Sequence, residues 1–389
     1  MTYDVVIVGG GPAGLTAAAS ILEADPSRKG RVRVLEKATY PREKYCAGAV
    51  GARGEKILER LGIFPDVPRV PIDGISLRVV SGERAARVPD IGHVVRRIEF
   101  DAGIARLARE RGVDIVEDAK VESLEMDRDG AVVHSSAGTF DARVVVGCDG
   151  VGSVVRKAIG LGAGGLRAQV LELDTEGVAG DRDRGVIHFD ASDRELPGYT
   201  WDFPTVVGGE ELVCRGIYHL KIGDEEIDLG AKLGARLAAM DLDIAKYRNK
   251  RFAERGVEID GTFAKGRVIL AGEAAGIDPI TGEGIAQAIE YGSMVGPFLA
   301  LALRGEILLE RWSDHVRRSR LGRDLGIRQR LVREFYGPRR PVLEDVLVAD
   351  GSFLQAGCRH FGAQPMRLAP VAMAFARLGV YFAQGVFGG

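Results

Sequence analysis

Hydrophobic positions near the start of the chain form uninterrupted runs separated by glycines. The run Tyr3 to Val8 is rich in β-branched residues and predicts a strand that is buried on both faces. The Ala- and Leu-rich stretch Leu15 to Ala24 predicts a helix. A second apolar run, Val32 to Leu35, predicts another strand and ends at Glu36. The order strand, glycine turn, helix, strand is typical of a βαβ unit.

Two later apolar runs each end in a glycine and an acidic residue. The segment Val144 to Gly150 reads Val-Val-Val-Gly-Cys-Asp-Gly, and Val268 to Glu273 reads Val-Ile-Leu-Ala-Gly-Glu. An Ala-rich helix is predicted to begin near Ile285. Both runs have the apolar continuity of buried strands, so we place them in the same domain as the βαβ unit.

Other stretches alternate apolar and polar positions, which is the pattern of a sheet with one exposed face. They cover residues 73–93 and 171–255 and predict an inserted antiparallel sheet. We therefore predict that the chain has three structural units. A discontinuous α/β domain covers residues 1–72, 94–170 and 256–305. The sheet domain covers residues 73–93 and 171–255, and a C-terminal helical region covers residues 306–389.

Composition excludes several classes of protein. The 389 residues are 46% hydrophobic and 28% charged, with a formal net charge of -2, so neither disorder nor nucleic-acid binding is expected. The four cysteines form no CxxC pair, so we predict no metal site and a reducing cytoplasmic location. No apolar stretch is long enough to predict a membrane span. Glycine is abundant, with 53 residues, as expected where backbone approaches a phosphate or an aromatic ring closely.

The segment Gly9 to Gly14 reads Gly-Gly-Gly-Pro-Ala-Gly and directly follows the first predicted strand. Gly9 permits a tight turn, Gly11 lets the backbone meet a pyrophosphate, and Gly14 lets helix and strand pack closely. The helix N-terminus favours the phosphate charge, and Glu36 can accept hydrogen bonds from a ribose. The unit predicts a dinucleotide site, with a glycine-rich structural turn as the alternative.

Three segments of the chain resemble, in the same order, the motifs of FAD-dependent oxidoreductases of the aromatic-hydroxylase, or flavin monooxygenase, superfamily. They are the glycine turn Gly9 to Gly14 and the segments that begin with the apolar runs at Val144 and Val268. The resemblance implies a glutathione-reductase-type fold: a Rossmann-like FAD-binding domain, an inserted antiparallel β-sheet substrate domain and a C-terminal helical segment. It also implies that the cofactor is FAD and that the acid after Gly272 binds the ribityl chain. That acid is Glu273 here, whereas the family usually has Asp.

The resemblance further implies that the turn Pro279 to Gly284 and the helix after it hold the isoalloxazine ring. Arg97, in the segment Arg97 to Asp101, is implied to reach toward the cofactor. The residues that we assign to FAD binding are Gly9, Gly11, Pro12, Ala13, Gly14, Glu36, Lys37, Arg97, Val121, Asp149, Gly150, Gly272, Glu273, Pro279, Gly282, Glu283, Gly284 and Ile285.

Two segments narrow the resemblance to geranylgeranyl-reductase-like flavoproteins. Pro41 to Gly48 resembles the Lys-x-Cys-Gly region of geranylgeranyl reductases and flavin halogenases, and Pro197 to Pro204 resembles the Tyr-x-Trp-x-Phe-Pro motif of the reductases. The implied catalytic residues are Cys46, Tyr199 and Trp201. Residue type alone fits a structural role as well as a catalytic one. In the structural alternative, Cys46 is a small buried hydrophobic residue, and Tyr199 and Trp201 pack in the core. A glycine pair at 208–209 comes earlier than the family's Gly-x-Gly.

The expected reaction is reduction of carbon–carbon double bonds in a small apolar, prenyl-like substrate by hydride from reduced flavin. The alternative is a monooxygenase that hydroxylates or epoxidises an apolar or aromatic molecule. A halogenase is a weaker alternative. Flavin halogenases need a lysine, which we expect in the run Ile72 to Val80, and that run holds Arg78 but no lysine.

The expected electron donor is NAD(P)H or ferredoxin. A second GxGxxG, Gly160 to Gly165, lacks the strand–helix context and is predicted to be a loop. Residues Arg311 to Arg340 are predicted to be helical and hold ten arginines against three acidic residues. They form either a solvated helix face or a peripheral membrane contact. The apolar segment Met366 to Phe387 is predicted to be a helix that closes the active site or joins two copies.

Overall fold

The computed structural model describes residues 2–222, 226–349 and 351–365, with residues 372, 376, 379 and 380 as isolated positions. The predicted helix Met366 to Phe387 lies outside the described residues, apart from those four positions. Elsewhere the chain forms two eight-stranded sheets with helices around them, so the predicted α/β class is confirmed.

The strands are β1 Thr2–Val8, β2 Val32–Leu35, β3 Ala49–Gly51, β4 Arg69–Val79, β5 Gly82–Val95, β6 Asp114–Val116, β7 Val121–Met126, β8 Ala131–Ser135, β9 Gly138–Gly147, β10 Arg167–Thr175, β11 Val186–Asp190, β12 Gly198–Val207, β13 Glu210–Leu220, β14 Lys250–Arg255, β15 Ala264–Lys265 and β16 Val268–Leu270. The helices are α1 Pro12–Ala24, α2 Ala52–Arg60, α3 Arg97–Glu110, α4 Val154–Ala158, α5 Leu229–Ala238, α6 Ile285–Ala302, α7 Trp312–Arg318, α8 Arg320–Phe335, α9 Arg340–Ala349 and α10 Ser352–Phe361.

The first sheet has the order β15-β16-β9-β1-β2-β6, with the β7–β8 hairpin joined to β9. β1 lies parallel to both β2 and β9, and β16 lies parallel to β9. Val5, Val6 and Ile7 of β1 are completely buried, as the unbroken apolar run predicted. The carboxyl ends of β1, β9 and β16 therefore meet at one edge of this sheet.

The second sheet has the order β14-β10-β13-β12-β11-β4-β5-β3. Six of its seven strand pairs are antiparallel, but β11 runs parallel to β4. The inserted sheet is antiparallel, as predicted, except for this one pair. Alternation within a strand reports which face is buried. It does not report the direction of a neighbour that is far away in sequence.

Helices α1 and α6 pack almost backbone to backbone. A Cβ added at Gly292 would lie 2.5 Å from the Ala13 carbonyl oxygen, and one at Gly296 would lie 2.1 Å from the Ser20 carbonyl oxygen. Only glycine permits this approach, so α1 and α6 are held as one unit.

The basic region Arg311 to Arg340 is helical over most of its length, as predicted: it forms α7 and α8, and residues 336–339 form a turn before α9 begins. Ser319 separates α7 from α8, and its side chain accepts a hydrogen bond from the Gly322 N–H. The exposed side of α8 carries Arg320, Arg323 and Arg330. Among the described helices, none has the length and apolar character needed to cross a membrane.

Candidate active site

The turn after β1 is built on backbone that only glycine provides. Gly9 has a φ of +104°, and a Cβ there would lie 2.4 Å from the Cys148 carbonyl oxygen. A Cβ at Gly14 would lie 1.9 Å from the Gly9 carbonyl oxygen. Gly11, by contrast, is the N-cap of α1, and a Cβ there would have only an Arg42 nitrogen within 4 Å, at 3.9 Å. The N-terminus of α1 therefore opens onto free space.

That space is a cleft of about 450 Å³ along the carboxyl edge of the first sheet. Fourteen of the residues assigned to FAD line it, together with Cys46 of the catalytic set: Gly9, Gly11, Pro12, Ala13, Glu36, Lys37, Arg97, Val121, Asp149, Gly150, Glu273, Gly282, Gly284 and Ile285. These residues come from both ends of the α/β domain, so the fold brings the three sequence motifs to one place.

Four other residues assigned to FAD lie beside this cleft and do not line it. Gly14 packs under β1, and a Cβ at Gly272 would lie 2.6 Å from the Ala13 Cβ. The Pro279 carbonyl accepts a hydrogen bond from the Tyr218 hydroxyl at 3.0 Å. Glu283 forms an ion pair with Arg53 at 2.7 Å. These positions shape the backbone around the cleft.

Glu36 lies at the end of β2 and is nearly fully buried. Its carboxylate accepts hydrogen bonds from the Gly10 N–H at 2.9 Å and the Ala38 N–H at 3.1 Å. An ion pair with Arg42, at 3.3 Å, adds a positive neighbour. A carboxylate has about four acceptor positions, so two remain for ribose hydroxyls.

Two acidic residues at the middle of the cleft differ in what they bind. Asp149 accepts hydrogen bonds from the Ser153 hydroxyl and from the backbone N–H groups of Val154 and Val155, so it caps the start of α4. Glu273, in contrast, has a buried Oε1 with no hydrogen-bond partner among the described residues. An acceptor left free in this way fits a hydroxyl donor such as the ribityl chain of FAD.

Arg97 also forms its hydrogen bonds with another residue of the chain. Its guanidinium donates to both carboxylate oxygens of Asp101, at 2.7 and 2.8 Å, and the pair is buried. Burial raises the pKa of the neighbouring Cys46 thiol, and Arg97 opposes that rise. Arg97 and Asp101 thus form an internal ion pair that borders the cleft.

A second cavity, of about 320 Å³, lies between the second sheet and α8 to α10. One wall is aromatic: Tyr199, Trp201 and Phe203 of β12 all line it. Tyr199 stacks on Tyr218 with ring centroids 5.2 Å apart and an interplanar angle of 14°. Phe189 meets Tyr199 edge to face at 5.2 Å. Such a wall suits an apolar ligand.

The indole of Trp201 lies flat against β13 because its cross-strand partner is Gly216. A Cβ at Gly216 would lie 2.1 Å from the indole ring. On the opposite face of β12, Asp202 forms ion pairs with Arg215 and Arg236. The strand period therefore separates an aromatic face from a charged face, as the alternation predicted.

The C-terminal helices close the cavity. Arg328 of α8 is paired with the buried Asp278, and the Tyr336 hydroxyl donates to the Ile280 carbonyl. Phe361 of α10 also lines the cavity. These contacts join α8 and the residue after it to the loop that precedes α6. The helices that cover the apolar cavity are therefore attached to a loop that borders the cofactor cleft.

The cleft and the cavity meet at six residues that line both: Cys46, Phe252, Glu254, Gly282, Gly284 and Ile285. Phe252 and Glu254 were not predicted from the sequence. Their signal is the alternation Lys250, Phe252, Glu254 along β14, which puts these side chains on the sheet face that carries Tyr218. This junction is where a cofactor ring and an apolar ligand would meet.

Two groups close to this junction have raised pKa values, although neither is one of the six residues that line both cavities. Burial raises the pKa of Glu172 to about 7, and its carboxylate accepts the Cys46 N–H at 2.9 Å. Burial also raises the pKa of Tyr199 well above its ordinary value, and its hydroxyl donates to the Thr281 carbonyl. Both groups therefore hold their protons more tightly than they would in water.

Among the other predicted positions, Gly160 to Gly165 is a loop between α4 and β10, as predicted.

Comparison with known proteins places these features in context. Residues 2–182 match the FAD binding domain family. The chain is 28% identical over 332 residues to a conditioned medium factor receptor of Dictyostelium discoideum, a match that covers 74% of this chain but only 61% of that protein. It is 28% identical over 335 residues to a digeranylgeranylglycerophospholipid reductase of Methanococcoides burtonii, covering 79% and 77%.

The fold is similar to the crystal structure of a geranylgeranyl bacteriochlorophyll reductase-like protein from Thermoplasma acidophilum. The TM-score is 0.74 with 20% sequence identity, and the match covers 96% of each chain. The cofactor is FAD, and the free Glu273 oxygen and the open N-terminus of α1 fit that group.

Proposed function

We propose that this FAD-dependent oxidoreductase, a relative of the geranylgeranyl reductases, reduces carbon–carbon double bonds of an apolar, prenyl-like substrate. The observation that carries the proposal is the aromatic-walled cavity that joins the cofactor cleft at a shared set of residues. The name of the Methanococcoides relative supports a substrate with geranylgeranyl chains.

The proposed assignment of residues follows the two cavities. Gly11 and the N-terminus of α1 would hold the pyrophosphate, Glu36 the ribose, and Glu273 the ribityl chain. When bound and reduced, FAD supplies a hydride. Helix α6 begins at Ile285, and its N-cap residue, Gly284, supplies no side-chain cap, so the positive end of the helix dipole favours negative charge beside it.

In this proposal the apolar cavity holds the substrate and excludes water. Tyr199 and Trp201 serve as its wall, and their ring faces favour a carbon that becomes electron-poor during protonation. Cys46 packs at the junction. A dry, fixed geometry matters because an isolated alkene accepts hydride poorly unless a proton arrives early.

The proposed electron donor is NAD(P)H or ferredoxin. A peripheral membrane contact through Arg320, Arg323 and Arg330 on α8 would suit a lipid substrate, because the same helix covers the apolar cavity.

The test is anaerobic. Photoreduced enzyme is mixed with digeranylgeranylglycerophospholipid in detergent, and mass spectrometry then measures whether the lipid gains two hydrogens per double bond. A saturated product without oxygen supports the reductase. Product that forms only in air and carries an added oxygen atom would identify the monooxygenase instead. Bromide or chloride incorporation would identify the halogenase.

A further inference from the structure

Of the side chains that line both the cofactor cleft and the apolar cavity, one is a carboxyl group, that of Glu254. It lies on β14 opposite Ala168 of β10, and its neighbour on the same face is Phe252. A Cβ placed on Gly282 would lie 2.5 Å from the Glu254 Oε2, so the carboxyl rests against the loop before α6.

The Oε2 of Glu254 is buried and has no hydrogen-bond partner among the described residues. A buried carboxyl oxygen without a donor partner is poorly stabilised as an anion. Burial, reinforced by the nearby Glu273 carboxylate, raises the pKa of Glu254 well above its ordinary value. The charged and titratable groups around it are Lys44, Cys46, Glu172, Tyr199, Tyr218, Glu273 and Asp278.

Other proton donors at the junction are weaker candidates. The Tyr199 hydroxyl already donates to the Thr281 carbonyl, and the Tyr218 hydroxyl donates to the Pro279 carbonyl. Cys46 is a thiol whose pKa is raised by burial. A protonated carboxyl is a stronger acid than any of these groups.

We propose that Glu254 is the general acid that protonates the substrate carbon in the reduction proposed above. The inference rests on that proposed function. The O–H bond at Glu254 breaks, and a C–H bond forms at one carbon of the double bond. The neighbouring carbon receives the hydride, whose two electrons come from the cofactor, and the π bond is lost. Glu254 is left as a carboxylate, which Lys44 stabilises, and it regains a proton from water.

The test compares Glu254→Gln, which keeps the shape but cannot donate a carboxyl proton, with Glu254→Asp. The matched control is Glu258→Gln, because Glu258 is also close in sequence but lines neither cavity. Infrared spectra of the oxidised holoenzyme at neutral pH report the carbonyl stretch of a protonated carboxyl. We expect this band in the wild type and in Glu258→Gln, with a loss of intensity in Glu254→Gln.

The second readout is a single anaerobic turnover of reduced enzyme with digeranylgeranylglycerophospholipid. We expect Glu254→Gln to be slower by about 100-fold or more, with FAD content unchanged, since general acid catalysis typically contributes about 10²- to 10⁴-fold. Glu254→Asp should recover part of the rate, and Glu258→Gln should stay within about twofold of the wild type.

The two proposals fail in different ways. A wild-type rate in Glu254→Gln, with wild-type lipid reduction intact, would overturn the role of Glu254 and leave the reductase standing. No lipid reduction by the wild type, despite the infrared band, would overturn the reductase and with it this role. Should Glu254→Gln not retain FAD, Glu254→Asp decides: an unchanged rate and an unchanged solvent isotope effect would refute the assignment.

Discussion

Replacing Gly11 by valine separates cofactor binding from folding. Gly11 has extended backbone angles, φ −82° and ψ −176°, which any residue adopts. The new side chain would meet only the Arg42 guanidinium within 4 Å and would otherwise project into the cleft. Loss of a favourable N-cap residue costs the apoprotein about 0.5–1 kcal/mol. We therefore expect the apoprotein to fold.

The same side chain would occupy the place of the pyrophosphate. A lost hydrogen bond to a charged group costs about 1.5–3 kcal/mol, and a weakened helix-dipole contact costs about 0.3–1 kcal/mol. Together these predict that the Kd for FAD rises about 20- to 900-fold. Apoprotein would be prepared by acid precipitation and titrated calorimetrically with FAD.

Gly14→Val is the matched control, because its Cβ would lie 1.9 Å from the Gly9 carbonyl oxygen and must displace backbone. We expect this variant to lose apoprotein stability, measured by thermal unfolding, whereas Gly11→Val shifts the apoprotein Tm by only a few degrees. Wild-type FAD affinity in a folded Gly11→Val protein would refute the placement of the pyrophosphate. Equal losses of Tm in both variants would show that Gly11 is structural.

Further substitutions test the aromatic wall and the buried carboxyls. Trp201→Ala should lower single-turnover rates about 2- to 30-fold while FAD content stays normal, since ring contacts contribute about 0.5–2 kcal/mol each; a normal rate would remove Trp201 from the substrate wall. Tyr199→Phe should slow turnover less than Trp201→Ala, because the lost hydroxyl donates to Thr281; a larger loss would make that hydroxyl chemically active. Glu172 has a pKa of about 7 in the fold against an ordinary 4.5, so the unfolded chain loses this proton first as pH rises. Urea unfolding should therefore show wild-type stability declining between these values, by up to about 1.4 kcal/mol per pH unit, relative to Glu172→Gln; parallel curves would contradict the shift.

The sequence alone was sufficient to predict features that depend on residues close together in the chain. The Gly9 to Gly14 turn follows from the need for glycine beside its own strand and helix, and the aromatic face of β12 follows from the two-residue period of a strand. The match to FAD binding and the similarity to reductases agree with the resemblance that these segments carry.

Contacts between distant segments were not predictable in the same way. Glu254 becomes part of the junction only because β14 pairs with β10 and the loop at Gly282 packs against it. Likewise, the partner of Glu283 is Arg53, far away in the chain, so the sequence assigned Glu283 to the cofactor without a sign of this ion pair. The alternation along β14 indicates which face Glu254 shares with Phe252, but the partner strand of β14 and the partner of Glu283 cannot be read from one sequence.

Phe361 is among the last described residues, yet it lines the apolar cavity, and its carbonyl oxygen would lie 2.6 Å from a Cβ on Gly51. During translation, Phe361 is synthesised long after Trp201 and Tyr218. A nascent chain therefore presents a bare aromatic sheet face until α10 arrives to cover it. Exposed apolar surface of this kind promotes aggregation and recruits chaperones. Correct folding of the nascent protein thus depends on α10, and a product that terminates before α10 would keep this aromatic face exposed.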